Sequence, residues 1–275
     1  MKTLMDVQEL QDRMTSGAQT ILLDVRWSLG DPHGHEHYRA AHIPGAVYVD
    51  LENQLCAPGG PGLGRHPLPD PDALREAAHQ WGINDGDTVV AYDDSGNLAA
   101  ARLWWLLRDA GFDSVSLLDG GLTAWRAAGF DVEGGEERHC VGNVHLSIGH
   151  MPVVSVPDLL EPTPDDVVLD ARAGERFRGE QEPVDPKAGH IPGAISAPTA
   201  DNLGDDRRFR SAEELRRRFG TLGADRGRVA VYCGSGITAA HEIAALDIAG
   251  IDAALFPGSW SQWSTTEGLP VATGA

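Results

Sequence analysis

Short apolar runs of four to six residues alternate along this chain with stretches of about ten residues in which apolar positions recur at helical spacing. Leu22-Leu23-Asp24-Val25-Arg26, Thr88 to Tyr92 and Val115 to Leu118 are runs of the first kind. Ala99 to Ala110, closed by Gly111, is a stretch of the second kind, and a short helix opens at Gly120-Gly121-Leu122-Thr123-Ala124-Trp125. Runs this short and this uniformly apolar are strands buried on both faces, so the pattern predicts an α/β fold with a parallel sheet between helices.

The same pattern is written twice. The second copy has strands at Val168-Leu169-Asp170-Ala171-Arg172, Arg228 to Tyr232 and Ala253 to Phe256, a helix from Ala239 to Ala249 closed by Gly250, and a final Gly258-Ser259-Trp260-Ser261-Gln262-Trp263. His42-Ile43-Pro44-Gly45-Ala46 matches His190-Ile191-Pro192-Gly193-Ala194. Asp24 and Asp170 lie 146 residues apart, His42 and His190 148, and Tyr92 and Tyr232 140, so the copies differ only by short insertions. Periodicity breaks where Gly134-Gly135-Glu136-Glu137-Arg138 and Gly142-Asn143 fall. The expected organisation is a domain over 1–134, a linker over 135–152 and a second domain over 153–275. The Gly/Pro-rich excursion Cys56 to Gly64 has no pattern of its own and is expected to be a surface loop.

Composition narrows the field. With 275 residues, 41% hydrophobic and 23% charged, the chain has room for two soluble domains. No apolar run is long enough to span a bilayer, and the first residues lack the apolar core of a signal peptide, which points to a cytoplasmic protein with no membrane partner. A net charge of −19 argues against a nucleic-acid partner, although ten basic residues face nine acidic ones between Arg172 and Arg218, ground that tolerates a small anion. Cys56, Cys140 and Cys233 show no CxxC spacing, so neither a disulfide framework nor a cysteine zinc site is expected. His33, His35 and His37 alternate on a glycine-bearing loop and are expected to be solvated, with no metal in the chain.

One cysteine has a context made for chemistry. Val231-Tyr232-Cys233-Gly234-Ser235-Gly236-Ile237-Thr238 is a buried strand ending at a thiol, followed by a loop that opens a helix. Gly234 and Gly236 permit positive φ, so successive N–H groups can turn inward, and the helix N-terminus adds to an anion cradle that favours the nucleophilic thiolate. In the first copy the matching position is Asp93, which leaves thiol chemistry to the second. Ala239 stands where a phosphatase-type loop needs its arginine, and Gly236 where a thioredoxin-like site needs its second cysteine.

The paired HIPGA segments, the paired LD(V/A)R segments, GSWSQW and CGSGIT resemble the rhodanese sulfurtransferases in their tandem two-domain form, over nearly the whole chain. The resemblance implies two rhodanese-like α/β domains with a catalytically inactive N-terminal copy. It further implies a Cys233 persulfide formed from a sulfur donor and passed to cyanide, a small thiol or a thioredoxin-like protein, with no cofactor. CGSGIT is similar to members that use 3-mercaptopyruvate; thiosulfate is the alternative donor. A non-catalytic sulfur-carrier or regulatory module is the alternative of another class.

Carried over motif by motif, the resemblance assigns Gly234, Gly236, Ile237 and Thr238 to the substrate cradle. It assigns a proton relay to Ser235, His42 and Asp31, although His190, at the matching place in the second copy, suggests that HIPG histidines are structural. Of two family arginines that bind substrate carboxylate, Arg176 matches the first, while Val184 stands at the second. Arg178 and Lys187 are the neighbouring cations considered as replacements.

Overall fold

The computed structural model describes residues 2–60 and 62–275; Met1, in the first predicted domain, and Pro61, in the Gly/Pro-rich excursion, lie outside the described residues. The chain divides into two compact units: unit 1 is Met1–Ala57, Pro69–His150 and Asp205–Phe209, and unit 2 is Pro58–Leu68, Met151–Gly204 and Arg210–Ala275. Residues 135–150, read from sequence as linker, therefore pack with unit 1. Val144 is buried there, and the N–H groups of Asn143 and Val144 both donate to the Ile83 carbonyl, at 3.0 and 3.2 Å.

In unit 1, β1 (Leu4–Met5) leads into α1 (Val7–Ser16), whose Asp6 cap accepts the Glu9 N–H at 2.7 Å. There follow β2 (Thr20–Asp24), α2 (Gly34–Ala40), β3 (Ala46–Tyr48), α3 (Leu51–Gln54) and α4 (Pro71–Gln80). The unit continues with β4 (Thr88–Tyr92), α5 (Ala100–Asp109), β5 (Val115–Leu118) and α6 (Gly121–Ala127). Its strands lie in the order β1-β5-β4-β2-β3, and every pairing is parallel. Leu22, Val90, Tyr92, Leu118 and Trp125 fill the core on one face.

Unit 2 starts with α7 (Val156–Leu160), β6 (Val167–Asp170), α8 (Gly174–Phe177) and β7 (Ile195–Ser196). After a 3-10 turn at Thr199–Asn202 come α9 (Ala212–Thr221), β8 (Val229–Tyr232), α10 (Thr238–Ala249), β9 (Ala253–Leu255) and α11 (Ser259–Thr265). The sheet order is β7-β6-β8-β9, again all parallel, and Val153 makes a parallel bridge to Leu255 beyond β9. Read from the β3 and β7 edges, the two sheets follow one order. The duplication seen in the motifs is thus present in the topology.

Strands β2 and β6 end at Asp24 and Asp170, two residues short of the expected Arg26 and Arg172. The reason is a local ion pair that turns the chain. Asp170 accepts the Arg172 backbone N–H at 3.0 Å and also its guanidinium, from Nε at 3.0 Å and Nη2 at 2.6 Å. Arg172 lies over the Trp260 ring, 4.6 Å from its centroid, and Asp24 holds Arg26 Nη2 at 2.7 Å in the same way in unit 1. All four side chains are buried, and Arg172 Nη1 also reaches Glu182 Oε2 at 3.2 Å, so the pair in unit 2 is part of a buried three-member network.

Helix α10 is enclosed on every side, and its buried polar residues are paired. His241 Nδ1 meets Thr199 Oγ1 at 2.7 Å, and Glu242 accepts from Asn202 Nδ2 at 2.6 Å and from Arg218 Nη1 at 3.2 Å. Burial pushes the Glu242 carboxyl up, with Arg218 pulling against it. This network holds α10, and hence the loop that precedes it, in one position. Among the described residues no helix is long and apolar enough to cross a membrane.

Replacing Asp170 with Ala is expected to cost about 3–5 kcal/mol, because the buried Arg172 would lose its bidentate partner and keep only Glu182, at 3.2 Å from Nη1. Urea unfolding measures it, and a loss below about 1 kcal/mol would show that the pair does not anchor β6.

Candidate active site

In each sheet the chain leaves the second and third strands of the shared order in opposite directions, and such a switch point, at the carboxyl ends of the strands, is where open α/β sheets bind ligands. Cys233 follows β8 at that place and is 2% exposed. The Gly236 N–H points at its Sγ, 3.1 Å away, with Gly236 at φ +85°, so the glycine supplies the turn that aims the donor. Ile237 ends the loop and Thr238 begins α10, and no side chain caps that helix. Its first-turn N–H groups are therefore directed toward whatever the loop holds.

The loop is fixed from below by Ser259. Its Oγ accepts the Cys233 N–H at 3.1 Å and donates to the Phe256 carbonyl at 2.9 Å, while its backbone sits at φ +52°. A non-glycine residue in that region carries strain, and here the strained residue is the one that positions the cysteine. The Trp260 and Ser261 N–H groups donate to the Cys233 and Gly234 carbonyls at 3.0 and 2.9 Å.

Unit 1 shows what this loop architecture is built to hold. The Asp93 carboxylate, fully buried, accepts the N–H groups of Ser95, Asn97, Ala99 and Ala100 at 2.8, 2.7, 2.8 and 3.1 Å. Burial pushes the Asp93 carboxyl up and these N–H groups pull it back. An internal carboxylate fills the cradle in one copy, and the Cys233 sulfur stands at its mouth in the other.

Two guanidinium groups converge above the loop. A β-carbon at Gly234 would lie 3.2 Å from Arg65 Nη2 and 3.4 Å from Arg176 Nη1, so this glycine also makes room for both arginines. Arg176 Nη2 donates to Glu182 Oε1 at 2.6 Å and to Asp185 Oδ2 at 3.3 Å. Arg65 Nη1 donates to Asp185, and Arg65 Nε is buried without a partner. Burial pushes the Asp185 carboxyl up against the pull of Arg65. For Glu182 burial also pushes up, but the Arg176 hydrogen bond and the Asp185 N–H prevail and the carboxyl is lowered. Val184 is 40% exposed and contributes only its N–H, to Glu182 at 3.1 Å. Arg178 pairs with Glu180 at 2.8 Å on the surface, and the Lys187 carbonyl accepts the Trp260 indole N–H at 2.9 Å. The second cation at Gly234 is thus Arg65 rather than either candidate drawn from sequence.

The relay expected from sequence needs correction in two of its three members. Ser235 Oγ lies 2.8 Å from Nδ1 of His66, not of His42. His42 is fully buried in unit 1, its ring stacked 4.2 Å from Tyr38 and its Nδ1 hydrogen-bonded to the Tyr38 carbonyl at 2.9 Å. Asp31 accepts the His33 N–H at 2.9 Å and meets His37 Nε2 at 3.1 Å, and has no bond to His42.

Arg65 and His66 were missed because the glycines around them suggested an unattached surface loop. In the structure 58–68 belongs to unit 2, and those glycines permit close docking. A β-carbon on Gly64 would fall 2.7 Å from the Gly258 carbonyl oxygen and 2.9 Å from Ser261 Oγ, and one on Gly59 would fall 2.7 Å from the Arg65 carbonyl oxygen. The Arg65 N–H donates to Ser261 Oγ at 3.1 Å, and Gln262 Nε2 donates to the Gly62 carbonyl at 2.6 Å. The available signal was two adjacent basic residues inside a glycine-rich stretch of a strongly acidic chain.

Comparison with known proteins agrees with this architecture. The model of the rhodanese-like domain matches residues 6–128 and 155–266. A Pseudomonas aeruginosa protein named provisionally as a 3-mercaptopyruvate sulfurtransferase is 45% identical over 279 residues, covering 98% of each chain. A Mycobacterium tuberculosis protein named provisionally as a thiosulfate sulfurtransferase is 43% identical over 277 residues, covering 99% of this chain and 98% of the relative. The crystal structure of an Escherichia coli 3-mercaptopyruvate sulfurtransferase superposes with a TM-score of 0.82 at 30% identity, covering 95% of this chain and all of that one. With both halves matched and relatives aligned along their full length, the chain belongs to the rhodanese family of sulfurtransferases, in its two-domain form.

Proposed function

We propose that the protein transfers sulfur from 3-mercaptopyruvate through a persulfide on Cys233 to a thiophilic acceptor. The observation that carries this reading is the pairing of two arginines at Gly234 with a Ser235–His66 hydrogen bond, all grouped around one cysteine. A 2-oxo acid thiol needs a carboxylate clamp and a route for one proton, and these are the two devices present. Arg65 and Arg176 grip the donor carboxylate, which competes with Asp185 and Glu182 for the guanidinium N–H groups.

The Cys233 thiolate then attacks the donor sulfur. A sulfur–sulfur bond forms, the donor's sulfur–carbon bond breaks, and its electron pair leaves as the enolate of pyruvate. The thiol proton released from the donor sulfur passes through Ser235 and His66 to the enolate carbon, so donor and thiolate give pyruvate and the persulfide anion with no other reactant. The persulfide rests against the Gly236 N–H and the amino end of α10, where the Asp93 carboxylate gives the measure of the anion such a loop accepts. Cyanide takes the outer sulfur as thiocyanate and returns the thiolate; a thiol takes it as a persulfide of its own. Unit 1, with Asp93 where Cys233 stands in unit 2, has no nucleophile in its cradle and is catalytically silent.

Thiosulfate remains the second reading, since two arginines also suit a sulfonate and relatives carry both names. Its leaving group, sulfite, departs without needing a proton, so the Ser235–His66 pair favours mercaptopyruvate.

Cys233→Ser is expected to abolish thiocyanate formation from either donor and to prevent the gain of one sulfur atom seen by mass spectrometry; turnover by wild type with neither donor would overturn the enzyme reading in favour of a carrier. His66→Gln is expected to lower kcat with mercaptopyruvate by about a hundredfold or more while leaving thiosulfate turnover within a few-fold. Equal losses with both donors would remove His66 from proton transfer. Arg65→Leu should raise KM for mercaptopyruvate by about tenfold to a hundredfold, the loss of one charge-assisted contact worth roughly 1.5–3 kcal/mol, and an unchanged KM would remove Arg65 from the clamp.

A further inference from the structure

His42, set aside by the active site, has an arrangement of its own. Its Nδ1 lies 2.9 Å from the Tyr38 carbonyl, which can only accept, so Nδ1 carries a proton and Nε2 is the ring nitrogen left to face another group. That Nε2 belongs to a fully buried residue and has no hydrogen-bond partner. It points at two carboxylates. Its separation from Glu133 Oε1 is 3.7 Å, and His42, Glu133 and Glu137 each offer a ligand atom within 4.8 Å of the others.

The scaffold around these atoms is rigid. His42 and Glu133 exchange backbone hydrogen bonds of 2.9 and 3.0 Å, the Gly45 N–H donates to Glu133 Oε1 at 2.5 Å, and the Glu137 N–H donates to the Tyr38 hydroxyl at 3.0 Å. Tyr38 thus stacks on the imidazole, accepts the proton at Nδ1 through its carbonyl, and holds the backbone of Glu137 through its hydroxyl. Among the described residues, Glu133 and Glu137 have no Lys or Arg ion partner, whereas Glu136 between them is taken by His35 at 2.8 Å and Arg39 at 3.5 Å.

Unit 2 supplies an internal control. His190 repeats every feature that the fold asks of His42: its ring stacks 3.7 Å from Phe177, its Nδ1 lies 2.7 Å from the Phe177 carbonyl, and its backbone pairs with Ala272 at 2.8 and 3.0 Å. Opposite His190 stands Ala272; opposite His42 stands Glu133. The histidine's structural duty is therefore met without carboxylates, and the two acids in unit 1 are additional to it.

We propose that His42 Nε2, Glu133 and Glu137 form a binding site for a divalent transition-metal cation. A neutral imidazole whose other nitrogen donates to a backbone carbonyl is the usual form of a metal-ligating histidine. One nitrogen and two carboxylate oxygens suit Zn²⁺ or Mn²⁺, completed by water, better than Mg²⁺ or Ca²⁺, which prefer all-oxygen shells. Ligand atoms around Zn²⁺ at about 2.1 Å are about 3.4 Å apart, so the three groups need close only by rotamer adjustments of the two half-exposed glutamates. The cation would clip residues 133–137 to the His42 segment, a structural role independent of sulfur transfer.

The test uses Zn²⁺ alone on the full-length chain after chelator treatment, in a Cys140→Ser/Cys233→Ser background that removes thiol ligands outside the buried Cys56. Equilibrium dialysis is expected to give one tightly held Zn²⁺ and a rise in melting temperature. Glu133→Gln and Glu137→Gln, both at partly exposed positions, are each expected to weaken binding at least tenfold and to remove the thermal shift. The His42 Nε2 nitrogen resonance should move on Zn²⁺ addition. A combined His33→Asn/His35→Asn/His37→Asn variant should bind as before. Absence of stoichiometric Zn²⁺, affinity unchanged by both glutamine variants, an unmoved His42 resonance, or loss of binding in the three-histidine variant would each overturn the proposal.

Discussion

A buried parallel strand that ends on an anion must find hydrogen-bond donors for it at once, because water is excluded and an uncompensated charge there costs several kcal/mol. Unit 1 meets that constraint with backbone, and unit 2 repeats the same loop around a thiol. In unit 1 the donors are four N–H groups turned onto Asp93. In unit 2 the corresponding loop aims the Gly236 N–H at Cys233 and leaves the amino end of α10 without a side-chain cap. Much else in unit 2 serves to keep this loop in place. Ser259 accepts strain to hold the Cys233 N–H, and the buried Glu242 network fixes the helix that follows.

The chemistry at the loop follows from which groups the fold leaves polarised but not saturated. Arg176 and Arg65 are each turned toward a carboxylate, yet both keep guanidinium nitrogens beside Gly234, and Arg65 Nε has no partner at all. Glu182 and Asp185 are the counter-charges that hold Arg176 there, at 2.6 and 3.3 Å. On the proposed function, binding is an exchange of carboxylates rather than the filling of a bare cationic hole. Neither of these partly exposed guanidinium groups is left without a carboxylate.

Most of the architecture was legible from local pattern. Strands β4 and β5 begin and end where their apolar runs do, and α5 and α10 stop where glycine or its neighbour closes the helical period. Strand ends at Asp24 and Asp170 were less legible, because an ion pair between residues two apart turns the chain while the apolar pattern continues. Cys233, Ser235, Arg176 and the loop glycines could be placed from CGSGIT and its setting. Spacing alone could not tell His42, stacked on Tyr38, from His66, bonded to Ser235, and Asp31 was drawn in with His42; only the fold separates them. Arg65 and His66 were hidden for a related reason: glycines that admit a close backbone contact and glycines of an unattached loop look alike in sequence.

The membership of residues 58–68 in unit 2 has a bearing on how the two copies depend on each other. A second half severed near residue 135 would retain Cys233, Ser235 and Arg176, and would lack Arg65 and His66. It would hold the loop cysteine but neither the second arginine beside Gly234 nor the histidine bonded to Ser235. The first copy has Asp93 where a nucleophile would stand, yet its sequence still encodes a part of the other copy's site. A duplicated gene arranged in this way cannot shed its first half without loss to the second, because a short loop encoded inside that half packs as part of its twin.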